Sequence, residues 1–172
     1  MIRLARPLLG ELEARALAEV LDSGWLVQGQ RVRHFEELLV ARIGVPHVLA
    51  CSSGTAALQL AIAALKLPAG SRIAVPAYTF AAPLNAVLLA GMQPILLDVD
   101  PHTYNLVPEE VLELLDSPTP PAALIAVHQF GLPTELGVLV DSAEKAGMAI
   151  IEDAACALGS TLRVRGKTLA AG

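Results

Sequence analysis

Short apolar runs, each followed by a turn signal and then a helical pattern, recur along nearly the whole chain. Runs at 47–51, 72–75, 94–97, 122–127 and 148–151 are too short for helices and read as strands. Helical spacing of apolar residues covers 11–22, 30–43, the stretch from the Ser53 turn to about 66, 83–90, 108–115 and 134–146. Gly24, Gly44, Gly91 and Gly147 stand where such helices end, and Pro83 stands near the start of one. Residues 161–169 alternate around Arg165-Gly166-Lys167, the pattern of a small hairpin. Roughly five strands alternating with helices predict an α/β fold, a mostly parallel sheet with flanking helices.

Composition fits this reading. The chain has 172 residues, about one domain, with 54% hydrophobic and 17% charged residues, so a large buried core is expected. The uncharged runs 73–97 and 45–65 are long enough to raise the question of a membrane span. Pro76, Pro83, Gly91 and Pro94 cut the first, and Cys51-Ser52-Ser53-Gly54-Thr55 cuts the second. Both read as α/β layers, because strands covered on both faces are continuously apolar. A net charge of −5 makes no case for nucleic acid or an anionic membrane. Cys51 and Cys156 have no metal-like spacing and fit free thiols in a reducing compartment. No signal-peptide core opens the chain, so a cytoplasmic location is expected.

Four stretches carry candidate chemistry. The run 148–151 ends in Glu152-Asp153 and then small residues. An acid at the carboxyl end of a parallel strand faces the crevice where open α/β sheets bind ligands. The competing reading is a plain helix cap. Ser52-Ser53-Gly54-Thr55-Ala56-Ala57-Leu58 joins a strand to a helix. Its amides, the Thr55 hydroxyl and the helix dipole suit an anion such as phosphate, with an ordinary cap as the alternative. Tyr78 and Phe80 follow another strand in a chain with only 3% aromatics; a ring there stacks on a planar ligand or packs on the helix. The loop from Gly24 to Gly29 holds the only Trp, either a core edge or a ligand contact. No Gly-x-Gly-x-x-Gly follows the first strand, which disfavours a Rossmann dinucleotide site.

Taken together these stretches resemble the DegT-type sugar aminotransferases, of the fold type I pyridoxal phosphate (PLP) enzymes. The matching residues are Gly24-Trp25-Leu26 with Gly29, Phe35-Glu36, Ser53-Gly54-Thr55-Ala56-Ala57-Leu58, Val75-Pro76-Ala77-Tyr78-Thr79-Phe80, Asp98-Val99-Asp100, Val127-His128-Gln129-Phe130-Gly131 and Ile151-Glu152-Asp153-Ala154-Ala155. They stand in the family's order and spacing. The resemblance spans residues 1–172 but only the first half of a typical member, the N-terminal part of an incomplete large domain. It implies that Gly54, Thr55 and Ala56 hold the cofactor phosphate. It implies that Phe80 stacks on the pyridine ring and that Asp153 pairs with the ring nitrogen. The family has Gln or His, bonding the cofactor's phenolic oxygen, where this chain has Cys156, and a thiol is a weak partner there. Gly24, Trp25, Leu26 and Val27 would line a sugar-nucleotide pocket. His128 would stand near the site, with a packed or backbone-bonded His as the competing reading.

The family's Schiff-base Lys lies downstream of this hairpin, beyond Gly172, and Lys66, Lys145 and Lys167 do not match it. Turnover needs that amine, so this chain alone is expected to be inactive. The resemblance implies transfer of an amino group, from glutamate, to a nucleotide-linked keto sugar, for surface polysaccharide or secondary-metabolite amino sugars. It implies a homodimer at full length. The alternatives are a non-catalytic remnant that binds PLP or pairs with a subunit, and a PLP-dependent sugar dehydratase. The family's topology also puts two further strands beyond Gly172, between the first strand and the one ending in Asp153. A split sheet with exposed edges is therefore expected, prone to association.

Overall fold

The computed structural model describes residues 6–171. Its centre is a four-stranded, wholly parallel sheet in the order β2-β1-β3-β4. The strands are β1 (Arg72–Pro76), β2 (Gln93–Leu97), β3 (Ala123–Val127) and β4 (Ala149–Asp153). β1 and β3 are almost wholly buried, as continuous apolar runs covered on both faces should be.

Side chains alternate across the sheet, and each face has its own core. Ile73, Val75, Ala123, Ile125 and Val127 face one side with Ile151 packed against them. They meet Leu58 and Ile62 of helix α3 (Gly54–Ala64) and Ala86 and Val87 of helix α4 (Ala81–Leu89). Ala74, Leu124 and Ala126 face the other side with Ile150. There they meet Val111 of α5 (Pro108–Leu115) and Ala143 of α6 (Val140–Ala146). Each fully buried Val, Leu or Ile contributes about 1.5–3 kcal/mol over an exposed one, so these two layers supply most of the hydrophobic stabilisation.

The hairpin forms where its alternation predicts, from β5 (Thr161–Val164) and β6 (Lys167–Ala170). Arg165 and Gly166 at its tip both have positive φ, 49° and 74°. It closes against the short 3-10 turn Leu136–Val138. A Cβ placed on Gly137 would stand 2.5 Å from the Arg163 carbonyl oxygen. Gly137→Ala is therefore expected to cost about 1–3 kcal/mol. Urea denaturation reads this directly; an unshifted midpoint would mean that the two segments do not approach so closely in solution.

Four expectations need correction. Residues 47–51 are not a strand: they run outside every ladder among the described residues. A strand exists only by bonding to a neighbour, and none is beside them; the Ala50 N–H instead donates to Glu36 Oε1 at 2.8 Å. The strand ending in Asp153 is not fully buried, because β4 is the sheet's edge; Ile150 and Ile151 are only half-buried. The helix expected over 134–146 is reduced to the 3-10 turn and α6, since Thr134 and Gly137 are held by other segments. Finally, helices α1 (Glu11–Ser23) and α2 (Gln30–Ile43) form, but neither contains a buried residue. Helical spacing predicts an apolar face; it does not supply the surface that covers it.

Candidate functional site

A parallel sheet brings the carboxyl ends of its strands to one rim, and three segments with expected cofactor residues stand there. Ser53, in extended conformation, caps α3: its hydroxyl accepts the Ala56 N–H at 3.1 Å. The Ala56 amide is thus engaged by the cap. The Gly54 and Thr55 amides have no acceptor among the described residues. A Cβ at Gly54 would meet nothing within 4 Å, so open space adjoins the positive end of the helix.

Phe80 precedes α4 and is 80% exposed, so its ring is not a packing residue. Asp153 ends β4. The segment after it is a turn and not a helix, which removes the helix-cap reading. Its Oδ1 accepts the Ala155 N–H at 3.1 Å, and no described residue bonds Oδ2. By alternation from Ile151, Asp153 faces the same side of the sheet as α3 and α4. The start of α3, the exposed Phe80 ring and Asp153 therefore share one face at one rim. Cys156 is exposed in the turn after Asp153, and its carbonyl oxygen lies 3.0 Å from where a Gly131 Cβ would be. Gly131 is thus a required glycine, with φ at 86°.

The expected substrate residues divide. Trp25, Leu26 and Val27 line a cleft of about 850 Å³ between the end of α1 and the start of α2, with Arg31 and Arg33 beside them. Gly24 turns the chain into it in the left-handed conformation, and the Trp25 indole N–H donates to the Gln28 carbonyl at 3.1 Å. No rim residue lines this cleft, so the structure does not bring the loop against the start of α3. His128 is fully buried, so it is not placed as a substrate contact. Its Nε2 lies 2.8 Å from Glu152 Oε2, and its Nδ1 accepts the Thr134 N–H at 3.0 Å. The reading of His128 as a packed, bonded residue is the one that matches this geometry.

Sequence reasoning missed the residues that assemble the rim loops. Asn105 is buried; its amide donates to the Leu132 carbonyl and its oxygen accepts the Gln129 N–H. Gln129 in turn donates to the Tyr78 carbonyl at 2.8 Å. These bonds gather Tyr78, Tyr104 and Phe130 into one exposed group of touching rings, centroids 5.2 and 5.8 Å apart. Asp100 accepts the Thr103 and His102 N–H groups, which hold its carboxyl below the usual range; it shapes the turn before Tyr104. No local pattern gives Asn105 or Gln129 these bonding roles, because their partners lie on other loops.

The sequence model of the DegT/DnrJ/EryC1/StrS aminotransferase family matches residues 7–171. The chain belongs to this family. It is 37% identical, over 164 residues, to the dTDP-4-dehydro-2,3,6-trideoxy-D-glucose 4-aminotransferase of Saccharopolyspora spinosa, covering 94% of this chain and 42% of that protein. The aminotransferase TlmJ of Streptoalloteichus hindustanus superposes with a TM-score of 0.85 at 33% identity, over 94% of this chain and 44% of that one. The GDP-4-keto-6-deoxy-D-mannose-3-dehydratase of E. coli, solved with bound hydrated PLP, superposes with a TM-score of 0.80 at 26% identity. That match covers 87% of this chain and 40% of the dehydratase. The chain thus spans about two fifths of the length of the relatives that it matches. The family's cofactor is PLP, and the donors at this rim fit it: amides at a helix start for a phosphate, an exposed ring for a planar ring, and an unbonded carboxylate oxygen for a ring N–H.

Proposed function

We propose that this chain is the N-terminal part of the large domain of a PLP-dependent sugar aminotransferase. The whole protein would move an amino group from glutamate to a keto sugar carried on a nucleotide. The observation that carries this reading is the placement of the α3 start, Phe80 and Asp153 on one face of one rim. The name of the Saccharopolyspora relative supports a nucleotide-linked sugar as the acceptor.

PLP, when bound, supplies an electron sink for the carbon that loses or gains the amino group. The chain's own residues would prepare it. The Gly54 and Thr55 amides would bind the phosphate, aided by the dipole of α3. Phe80 would cover one face of the ring and exclude water from it. Asp153 Oδ2 would hold a proton on the ring nitrogen, a charge-assisted bond that keeps the ring electron-poor. Cys156 stands in the turn after that acid, where the resemblance places a contact to the phenolic oxygen, and a thiol would make that contact weakly. The trio Trp25, Leu26 and Val27 would take the sugar nucleotide, as the lining of the α1–α2 cleft. Lys66 stands in the turn just after α3 and Lys145 in the last turn of α6, at the end of the sheet opposite the rim; neither supports a role as the reacting amine. That amine would come from chain beyond Gly172, and the working protein would be a homodimer in the cytoplasm. No helix among the described residues is long and apolar enough to cross a membrane.

The test uses the protein as its gene encodes it, with PLP, glutamate and a dTDP-linked 4-keto-6-deoxy sugar. Release of 2-oxoglutarate with a matching amino sugar is expected. Loss of a sugar hydroxyl without amino transfer would assign the dehydratase reading instead. Failure to bind PLP at all would overturn both.

A further inference from the structure

We infer that His128 is a positioning residue that sets Asp153 from the opposite face of β4, through Glu152. The inference rests on the reading of Asp153 as the partner of the PLP ring nitrogen, and deepens it.

β4 is the edge of the sheet, so among the described residues its only ladder neighbour is β3, and the last pair of that ladder is Val127 with Asp153. An edge strand frays from its end, and the residue at this end is the acid. His128 directly follows β3, and it continues the attachment twice. Its backbone N–H donates to the Asp153 carbonyl at 3.0 Å. Its imidazole reaches Glu152, the residue before Asp153, at 2.8 Å. Glu152 and Asp153 point to opposite faces by the alternation of the strand. The imidazole therefore holds β4 from the α5–α6 side, while Asp153 is presented on the α3–α4 side.

The imidazole is itself held. Thr134 N–H donates to Nδ1, so Nδ1 carries no proton and Nε2 must be the donor to the Glu152 carboxylate. Thr134 is buried, and its hydroxyl donates to the Val127 carbonyl at 2.9 Å, beside the final ladder pair. Among the described residues, His128 is the only His, Asp, Glu, Lys or Arg that is buried. A polar ring is costly to bury, and a packed apolar side chain would serve a purely space-filling role better. What the ring adds is direction: one tautomer, one donor, aimed at the residue next to the acid.

The experiment compares the full chain with E152A, H128Q and H128F. Nitrogen-15 spectra of the wild type should show His128 with Nε2 protonated and Nδ1 bare. In E152A, which leaves Nε2 without this acceptor, the His128 and Ala155 amides, which donate to Asp153, should exchange about tenfold faster, with Val75 in β1 unchanged. PLP affinity, by equilibrium titration, should fall 3- to 10-fold. The ring-nitrogen resonance of labelled PLP should shift toward its unprotonated position. H128Q keeps a donor for Glu152 and should show only part of both losses; H128F should show both in full. If H128F fails to fold, E152A and H128Q still decide. A proton on Nδ1, an unchanged exchange rate, or an unchanged PLP affinity and resonance in E152A would each overturn the inference. A wild type that binds no PLP would sink the proposed function, and amide exchange alone would then judge the clamp.

Discussion

Expressed by itself, the 172-residue chain is expected to self-associate at micromolar concentration and to unfold over a broad range of denaturant. A compact monomer of 18.0 kDa should expose about 8,000 Å². This chain exposes 11662 Å². The excess, roughly 3,600 Å², is the size of the total area that obligate interfaces bury. Its location is specific. No described residue before Leu58 is buried. Leu12, Leu17 and Leu21 of α1 are 75%, 66% and 68% exposed, and Phe35 and Leu38 of α2 are about half exposed. The outer edge of β4 adds a row of backbone groups with no ladder partner among the described residues. Size-exclusion chromatography with light scattering reads the association, and replacing Leu12, Leu17 and Leu21 with Lys should reduce it. A monodisperse monomer with a sharp urea transition would show that these surfaces close on themselves, contrary to the structure.

Asp153→Ala is expected to weaken PLP binding about 10- to 150-fold, the loss of a charge-assisted hydrogen bond worth about 1.5–3 kcal/mol. The fold should lose little. Asp153 is half-buried, and its bond to the Ala155 N–H is one turn contact, about 1 kcal/mol. Asp153→Asn separates the two effects, because it retains an oxygen for Ala155 but not the charge. Asn should therefore match the wild type in thermal unfolding and Ala in PLP affinity. Fluorescence titration of the protein as its gene encodes it makes the comparison. Equal PLP affinity in all three proteins would remove Asp153 from the cofactor site.

Much of the architecture was legible because its signals are local. Gly24 and Gly147 stand at helix stops in the left-handed conformation that makes glycine useful there. Ser53 caps α3 as its type and position predict. The alternation of 161–169 became a hairpin. The two acids after 148–151 stand at the carboxyl rim that their strand implies.

By itself, then, the sequence determined most of the helices and strands, though not 47–51 or the full helix over 134–146, and also which strand end carries the acids and which family the chain resembles. All of this follows from short-range periodicity and from motifs read along the chain. Only the tertiary structure decided what each segment meets. It left 47–51 without a neighbour, put β4 at an edge and left α1 and α2 uncovered, because pairing and burial need surfaces far away in sequence. It also gave His128 its partners, Thr134 and Glu152. Twenty-four residues separate His128 from Glu152, and only the parallel pairing of β3 with β4 brings them together.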